Sequence, residues 1–302
     1  MSIIIEEAKK IHISGLVTLF KENYGLYHYN AFSDEKLLQE LFYNNLIGWI
    51  GRENDKIIAF SGLYDIVQDD YHLIKLAHLL VDKNYRGYHI GSRLEEARND
   101  YYSKIQHSLV VASCVDEPLQ SIQLKLKHGF SCLGIKTNYR SSNLVGKNGV
   151  IFGKYNGILH REVHFEPPTL VTQNFIEQIC ENNNFEYKFD KLNAQMCDVK
   201  FEYEIDPLNS RIVAYISSTK KGILLSELIK LFNVYNMRYM SIRINTRIKG
   251  FEKIDNLLHS NGYTPVMYIP YYSKQVDLLE YQRLNAEDYI TYKKFFEKYI
   301  RK

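Results

Sequence analysis

The chain is poor in the residues that define several classes of protein. Its 302 residues include four cysteines, six prolines and a single tryptophan. The cysteines stand far apart, with no C-x-x-C pair and no histidine at ligand spacing, which argues against a zinc site and a disulfide framework. We therefore expect small buried thiols in a reducing cytosol, and no bound metal.

Charge of one sign and long apolar runs are also lacking. Lysine and arginine number 38 against 35 aspartates and glutamates, and the net charge of +3 is not gathered into a stripe. This balance does not favour a nucleic-acid partner. No stretch approaches the roughly 18 apolar residues of a spanning helix, and the first residues do not resemble a signal peptide. We expect a cytoplasmic protein without a membrane partner.

Two widespread phosphate-binding motifs are missing as well, the P-loop G-x-x-x-x-G-K-[ST] and the dinucleotide fingerprint G-x-G-x-x-G. The chain has instead an apolar run that ends at Val81, followed by Arg86-Gly87-Tyr88-His89-Ile90-Gly91 and a helix-like segment. A glycine-containing turn before a helix gathers backbone N–H donors and the positive end of the helix dipole at one point. Such a point favours an anion, so we expect it to bind a phosphate or pyrophosphate.

This turn resembles the [Q/R]-x-x-G-x-[G/A] pyrophosphate loop of the GNAT N-acetyltransferase superfamily. Further landmarks follow in the order typical of that superfamily: Leu79-Leu80-Val81-Asp82 at a strand end, a helix over 90–104, a strand over 108–115 and the pair Gly129-Phe130. The resemblance implies that acetyl-CoA or another acyl-CoA is the co-substrate. The residues implied to hold it are Arg86, Gly87, Tyr88, His89, Ile90, Gly91 and Ser92, together with the backbone N–H groups of Leu79, Leu80 and Val81.

One residue of the loop departs from the family pattern. His89 stands where the superfamily usually has the first glycine of G-x-G. Either φ is negative at this position, or the histidine adopts the left-handed region, which His tolerates better than most other residues with a side chain. The departure predicts a loop that is tighter around the pyrophosphate than usual.

Acyl transfer to an amine needs a base, donors for the oxyanion and a proton for the leaving thiolate. The resemblance implies that the oxyanion donors are backbone N–H groups of the strand before the loop, splayed by a bulge. His78, in that strand, is the candidate base, since an imidazole has an unperturbed pKa of about 6.5; a hydrogen-bonded core histidine is the alternative. The family's usual acid is a tyrosine four residues before the Gly-Phe pair, where this chain has Lys125. Tyr139 or water is left as the proton source.

Two further groups of residues are candidate ligand contacts. An aromatic run falls between the first two helices, a segment that roofs the acceptor site in the GNAT fold. It predicts an acceptor-lining role, with plain packing as the alternative, for Tyr24, Tyr27, Tyr29 and Phe32. Ser121 begins a helix over 118–128, where it either contacts the pantetheine arm of coenzyme A or caps the helix.

The alternation of strand-like and helical segments predicts an α/β fold with a mixed sheet, of the α+β kind. The resemblance implies that residues 1–157 form the acyl-CoA N-acyltransferase (GNAT) fold. Helices are expected over 10–22 and from a cap at Ser33 to about residue 45. Strands are expected over 2–9, 47–52, 56–65 and 72–81.

Beyond about residue 160 the pattern restarts. Helices are expected over 171–182, 222–236 and 251–260, with strands between and after them that end at 276–284. The segment 217–224 holds a lone glycine and no second pyrophosphate loop. We interpret residues 158–302 as a degenerate second GNAT-like domain, with an unrelated α/β domain as the alternative.

The sequence thus predicts an acyltransferase that moves an acetyl or other acyl group from coenzyme A to an amine by direct attack. The acceptor is expected to be a small molecule or a peptide, and a homodimer is left open. A non-catalytic protein that senses coenzyme A and binds a partner through its C-terminal domain is the alternative. Aminoacyl transfer from tRNA, which tandem domains of this fold also perform, is disfavoured because those proteins lack the loop.

Overall fold

The structure is a computed structural model, and it describes residues 2–24, 30–117, 119–139, 148–157, 163–165, 168–189, 200–206, 211–216, 222–235, 237, 239–274 and 276–300. The chain divides into two compact units. The first unit comprises residues 1–112 with 155–158, and the second comprises 113–154 with 159–302. The expected domain boundary after residue 157 stays a prediction.

The first unit is built on a mixed sheet, as the sequence predicts. Its strands are β1 (Ile3–Glu7), β2 (Leu46–Glu53), β3 (Lys56–Gln68), β4 (Tyr71–Val81) and the start of β5 (Ser108–Val115). They lie in sequence order, and neighbours are antiparallel except β4 and β5, which are parallel. A parallel pair needs a long crossover, and here a helix supplies it.

Three helices cover this sheet: α1 (Ile13–Tyr24), α2 (Glu35–Tyr43) and α3 (Ile90–Tyr102), with a short 3₁₀ turn (Lys10–His12) before α1. Helices α1 and α2 contribute to one apolar cluster and α3 to another. Ile50 belongs to the first cluster and Trp49 packs against the second. Because successive strand residues point to opposite faces, the two clusters lie on opposite faces of the sheet.

The cap of α2 corrects one expectation. The helix begins one residue later than a Ser33 cap requires, and its N-cap is Asp34, whose Oδ1 accepts hydrogen bonds from the N–H groups of Lys36 at 2.9 Å and Leu37 at 3.0 Å. Ser33 instead ends a short 3₁₀ turn. Adjacent Ser and Asp are equally good caps by type, so only the backbone path decides between them.

The second unit contains more strands than the first. After the end of β5 its strands are β6 (Ser131–Lys136), β7 (Gly149–Asn156), β10 (Phe201–Asp206), β11 (Arg211–Ile216), β12 (Tyr239–Asn245), β13 (Tyr263–Ser273) and β14 (Val276–Arg283). Their order is β5-β7-β6-β13-β14-β12-β11-β10. Two short strands, β8 (Val163–Phe165) and β9 (Tyr187–Phe189), form a separate parallel pair.

The helices of this unit are α4 (Gln120–Lys127), α5 (Leu170–Asn182), α6 (Leu225–Val234), α7 (Phe251–Ser260) and α8 (Ala286–Tyr299). Helix α8 was not expected from the sequence. Its signal is nevertheless present, because Asn285 accepts a hydrogen bond from the N–H of Asp288, and two acidic residues occupy the first turn. None of the described helices has the length and apolar character needed to cross a membrane.

Strand order in the C-terminal half repeats that of the N-terminal half. The sequence β10-β11-β12-β14-β13 matches β3-β4-β5-β7-β6 position by position. The directions agree too, since β11 and β12 are parallel, like β4 and β5, while β10 and β11 are antiparallel, like β3 and β4. A helix joins the parallel strands in both halves, α3 in the first and α6 in the second.

Strands β6 and β13 meet without room for a side chain. Met267 pairs with Gly134, and a Cβ added to Gly134 would lie 2.3 Å from the carbonyl oxygen of Val266. Close by in sequence, Lys136 donates to Glu280 at 2.9 Å, and the N–H of Thr137 donates to Gln282 at 3.1 Å. These contacts tie the end of β6 to residues almost 150 positions later in the chain, all within the second unit.

Candidate functional site

The loop after β4 turns through two residues of positive φ. Arg86 is extended, Gly87 has φ of 91° and His89 has φ of 58°, after which α3 begins at Ile90. The structure thus selects the second of the two alternatives for His89, the left-handed conformation. Its carbonyl accepts the helical hydrogen bond from the N–H of Arg93 at 3.1 Å.

The buried carboxylate of Asp82 holds the start of this loop. It accepts hydrogen bonds from the N–H of Asn84 at 2.9 Å and from Lys56 Nζ at 3.3 Å, while the Asp82 carbonyl accepts from the N–H of Tyr85 at 2.8 Å. Burial raises the pKa of Asp82, but these two hydrogen bonds outweigh it and the pKa is lowered overall. The carboxylate therefore stays ionised at neutral pH and keeps the loop in shape.

The N-terminus of α3 has few groups that would compete with an anion for its N–H donors. The His89 side chain makes no capping hydrogen bond, and the first turn of α3 carries no acidic residue. Arg86 and Tyr88 in the loop are exposed, as is Lys83 just before it. Free N–H groups, a helix dipole and nearby cations together suit a pyrophosphate.

Strand β4 contains a bulge next to the loop. Phe60 pairs with Leu80 and Gly62 with Ala77, so two residues of β4, His78 and Leu79, face the single residue Ser61 of β3. His78 takes a left-handed φ of 49°, which is unusual within a strand. A bulge at this place is the feature that the resemblance implied.

The pairing of β4 with β5 ends before the bulge. Its last pair is Lys75 with Val111, while β4 continues to Val81. The bulge therefore lies beyond the last described pair of these two strands. Backbone N–H groups there are the donors that an oxyanion would need.

The side chains around the bulge point to both faces of the sheet. Leu80 is buried with the α1 and α2 cluster, whereas Leu79 and Val81 pack on the α3 cluster. These side chains thus take part in core packing, and a contact of their backbone N–H groups with a co-substrate stays a prediction. The His78 ring is half-buried, with its centroid 4.1 Å from that of Phe32 and 5.9 Å from that of Phe20.

The predicted acceptor-lining residues that the structure describes differ in their burial. Phe32 is fully buried in the α1 and α2 cluster, so in this structure it packs beneath His78. Tyr24, at the end of α1, is 42% exposed. Tyr27 and Tyr29 lie outside the described residues. The structure thus brings Phe32 and His78 together, and acceptor lining stays a prediction.

Tyr139, Ser121 and Lys125 lie in the second unit. Tyr139 contacts Tyr239, with ring centroids 5.4 Å apart, and the Arg211 guanidinium, 4.8 Å above its ring. Helix α4 has no side-chain cap, so Ser121 does not cap it, and the Ser121 hydroxyl has no partner among the described residues. Lys125 is buried, with Nζ 5.0 Å from the Phe130 ring centroid.

Comparison with known families now identifies the N-terminal part of the chain. Residues 13–130, from α1 to just before β6, match the family model described as the acetyltransferase (GNAT) family. These residues form a GNAT domain. The match supports acyl transfer as the general chemistry of this domain. No protein of curated function matches the chain by sequence.

Many solved structures resemble part of the chain. NAA60 of Arabidopsis thaliana, solved with a bisubstrate analogue, is 13% identical and covers 51% of this chain and 98% of its own, with a TM-score of 0.43. The ribosomal-protein-S5-alanine acetyltransferase of Vibrio fischeri is 17% identical and covers 53% of this chain and 97% of its own, with a TM-score of 0.45. An N-acetyltransferase of Staphylococcus aureus Mu50 is 16% identical, with coverage of 51% and 99% and a TM-score of 0.44.

Sequence reasoning missed a buried ion pair in the GNAT domain, between Glu95 and Arg98 of α3. Arg98 is 2% exposed although it looks like one of several solvated charges of this helix. A signal existed, because Ile90, Leu94, Arg98 and Tyr102 are spaced four apart. All four are buried. This spacing puts Arg98 on the apolar face of the helix.

Two surface cavities of the first unit contain none of the predicted site residues. One, of about 540 Å³, is lined by α1 and α2 residues that include Lys36 and Tyr43, and the other, of about 440 Å³, is lined by residues that include Trp49 and Tyr101. Among the described residues, no group of three or more His, Cys, Asp and Glu is placed to hold a metal ion. Cys114, Cys132 and Cys180 are buried and form no disulfide among the described residues, and Cys197 lies outside them.

Proposed function

We propose that the protein transfers an acetyl or other acyl group from coenzyme A to an amine acceptor by direct attack. The observation that carries the proposal is the bulge at His78, because it lies at the end of the strand that leads into the anion-binding loop. The loop residues Arg86 to Ser92 hold the pyrophosphate, and the N–H groups of Leu79 to Val81 serve the thioester carbonyl and its oxyanion. The family match of residues 13–130 supports this arrangement.

His78 acts as the base in this proposal. A ring that is half-buried against Phe32 keeps some access to solvent and to an amine. The proton for the leaving thiolate comes from water or from Tyr139, while the ammonium of Lys125, at the position of the family's tyrosine, lies over the ring of Phe130. The acceptor is a small-molecule or peptide amine. Three buried cysteines that are not in disulfides are compatible with a cytoplasmic setting.

The C-terminal half, in the same proposal, is a second GNAT-like domain without a cofactor. The repeated strand order and the repeated parallel pair support it. Segment 217–224 has no pyrophosphate loop in its sequence. A single coenzyme A site per chain is therefore expected, and a homodimer would carry two.

Calorimetry with coenzyme A and thiol release from acetyl-CoA with a panel of amines test the proposal together. We expect about one site per chain and a release rate that depends on the amine. Two equal sites per chain would contradict the degenerate second domain.

A second function, coenzyme A sensing without catalysis, is favoured by one observation, the burial of Lys125 at the position of the family's usual acid. It predicts tight binding of coenzyme A with no amine-dependent thiol release. The same pair of measurements therefore separates sensing from transfer.

A further inference from the structure

Arg98 reaches from α3 to the backbone beside the bulge. Its Nη1 donates hydrogen bonds to the carbonyl oxygens of Gly62 at 3.0 Å and Ala77 at 3.3 Å, one on each of the two paired strands. Its Nη2 forms an ion pair with Glu95. The guanidinium group is thus buried between the helix and the sheet, with its charge balanced by a neighbour on its own helix.

The position of these two carbonyl groups explains why a side chain donates hydrogen bonds to them. Gly62 and Ala77 are the last pair of the β3–β4 ladder before the bulge. A bulge disrupts the ladder locally, and buried carbonyl groups still need donors. A planar guanidinium can reach two carbonyls and a carboxylate at once, which the single ammonium of a lysine cannot do with the same geometry.

The contact with Ala77 bears directly on His78. The carbonyl of Ala77 and the N–H of His78 belong to one planar peptide group. A hydrogen bond to that carbonyl therefore fixes the orientation of the Ala77–His78 peptide plane. Because His78 follows this plane in the chain, its side-chain direction and the directions of the next N–H groups are fixed as well. Small displacements of such groups are costly, since about 1 Å can lower a rate on the order of 100-fold.

We propose that Arg98 is a positioning residue that fixes the bulge of β4 and links it to the helix whose N-terminus binds the pyrophosphate. Ile90, the first residue of α3, and Arg98 share one helix, so the anion site and the bulge are held by the same rigid element. The catalytic part of this inference rests on the proposed acyl transfer. Its structural part, an Arg98-dependent bulge, does not.

Arg98→Lys is the first test, because a lysine keeps a positive charge beside Glu95 but lacks the planar guanidinium that donates to both carbonyls. We expect amide hydrogen exchange of residues 77–80 to become at least ten-fold faster and turnover to fall on the order of 10- to 100-fold. The dissociation constant for coenzyme A should change less than two-fold, because the first turn of α3 is untouched. Wild-type exchange in this segment together with wild-type turnover would overturn the proposal.

Arg93→Lys is the matched control. Arg93 lies on the same helix but is exposed, and its Nη2 donates to the carbonyl of Ile3 at 3.0 Å, away from the bulge. It should leave exchange at residues 77–80 and turnover unchanged. An equal effect of both substitutions would mean that general loosening of α3, and not the contact with Ala77, is responsible, and the proposal would fail.

A second variant guards against loss of the fold. Glu95→Gln with Arg98→Gln removes both buried charges together and leaves two neutral amides in their place. If Arg98→Lys does not fold, this double variant should show the same fast exchange and low turnover with coenzyme A affinity retained; normal exchange in it would refute the proposal. A wild-type protein without thiol release refutes the proposed function, whereas the exchange data still decide the role of Arg98.

Discussion

At the scale of single residues, the site depends on backbone conformations that few residues adopt. His78 and His89 are both left-handed, with φ of 49° and 58°, and Gly87 has φ of 91°. Histidine is one of the few residues with a side chain that enter this region at moderate cost. The two histidines thus allow a left-handed backbone whether or not their rings take part in chemistry. A test of either residue has to separate the effect on the backbone from the loss of the imidazole ring.

His78→Gln tests the base. If His78 takes the proton of the amine, turnover should fall on the order of 10²- to 10⁴-fold, and the wild-type rate should rise with an apparent pKa of about 6 to 7.5. Rates over a pH series and coenzyme A affinity are the measurements. Affinity should barely change, because the pyrophosphate loop is separate. A variant that melts several degrees lower but turns over normally would make His78 a core residue.

Gly87→Val tests the backbone of the loop. No atom lies within 4 Å of a Cβ built at Gly87, so the cost comes from the left-handed φ, about 1–2 kcal/mol of unfolding free energy. We expect lower stability and loss of coenzyme A binding, measured by denaturant unfolding and calorimetry. Gly91→Ala is the comparison, since a Cβ there lies 3.8 Å from Val81 Cγ2, an ordinary contact. It should keep stability and weaken coenzyme A binding alone; unchanged binding would argue against a close phosphate approach at Gly91.

At the scale of elements, the N-cap residue fixes where a helix begins, and two neighbouring residues can both be suited to be that cap. Ser33 and Asp34 are both good caps by type, and the structure gives the role to Asp34. Helix α2 carries a buried Leu38 into the cluster beneath His78, so its start bears on the site.

Asp34→Ala should lower the free energy of unfolding by about 1 kcal/mol, because two N–H groups of α2 lose their acceptor. Ser33→Ala is the control and should change it by much less. Urea unfolding of the two variants measures the difference. A larger loss for Ser33→Ala would reverse the assignment of the cap.

At the scale of the whole molecule, buried charges hold distant parts of the second unit together. Glu280 is fully buried and interacts with Lys136, Arg243 and the hydroxyl of Tyr239. Burial raises the pKa of Glu280, but the charges of Lys136 and Arg243 outweigh it and lower the pKa to about 2. The ionised carboxylate is thus part of the folded state over the physiological pH range.

Glu280→Gln should destabilise the protein by about 3–5 kcal/mol at neutral pH, since it leaves buried cations without their partner. The folded pKa of about 2 lies below the ordinary value of 4.5. The stabilisation is therefore complete above about pH 4.5 and is lost as pH falls towards 2. Unfolding of wild type and variant over this pH window should show their difference shrinking. Glu297→Gln, at an exposed position, is the control and should change stability little at neutral pH.

A chain ending at residue 157 tests the domain boundary. It would remove β13 and β14, which provide the partners of Gly134, Lys136 and Thr137. We expect partial unfolding, seen by circular dichroism and protease sensitivity, and loss of acyl transfer. A folded product with the full rate on the same acceptor would contradict the need for the C-terminal half.

The sequence by itself determined the local architecture of this protein. Apolar runs of period two and helical spacing predicted most strands and helices to within a few residues, and the sequence at 86–91 predicted a glycine-containing turn before a helix, because these signals depend only on near neighbours. The anion site at this turn stays a prediction. The four-residue spacing places Arg98 on the apolar face of α3, but only the tertiary structure decided which distant groups the buried charges contact. Arg98 serves carbonyls 21 and 36 residues away, and Lys136 meets Glu280 144 residues away. No local pattern encodes such pairs, since burial is set by the packing of elements distant in the chain.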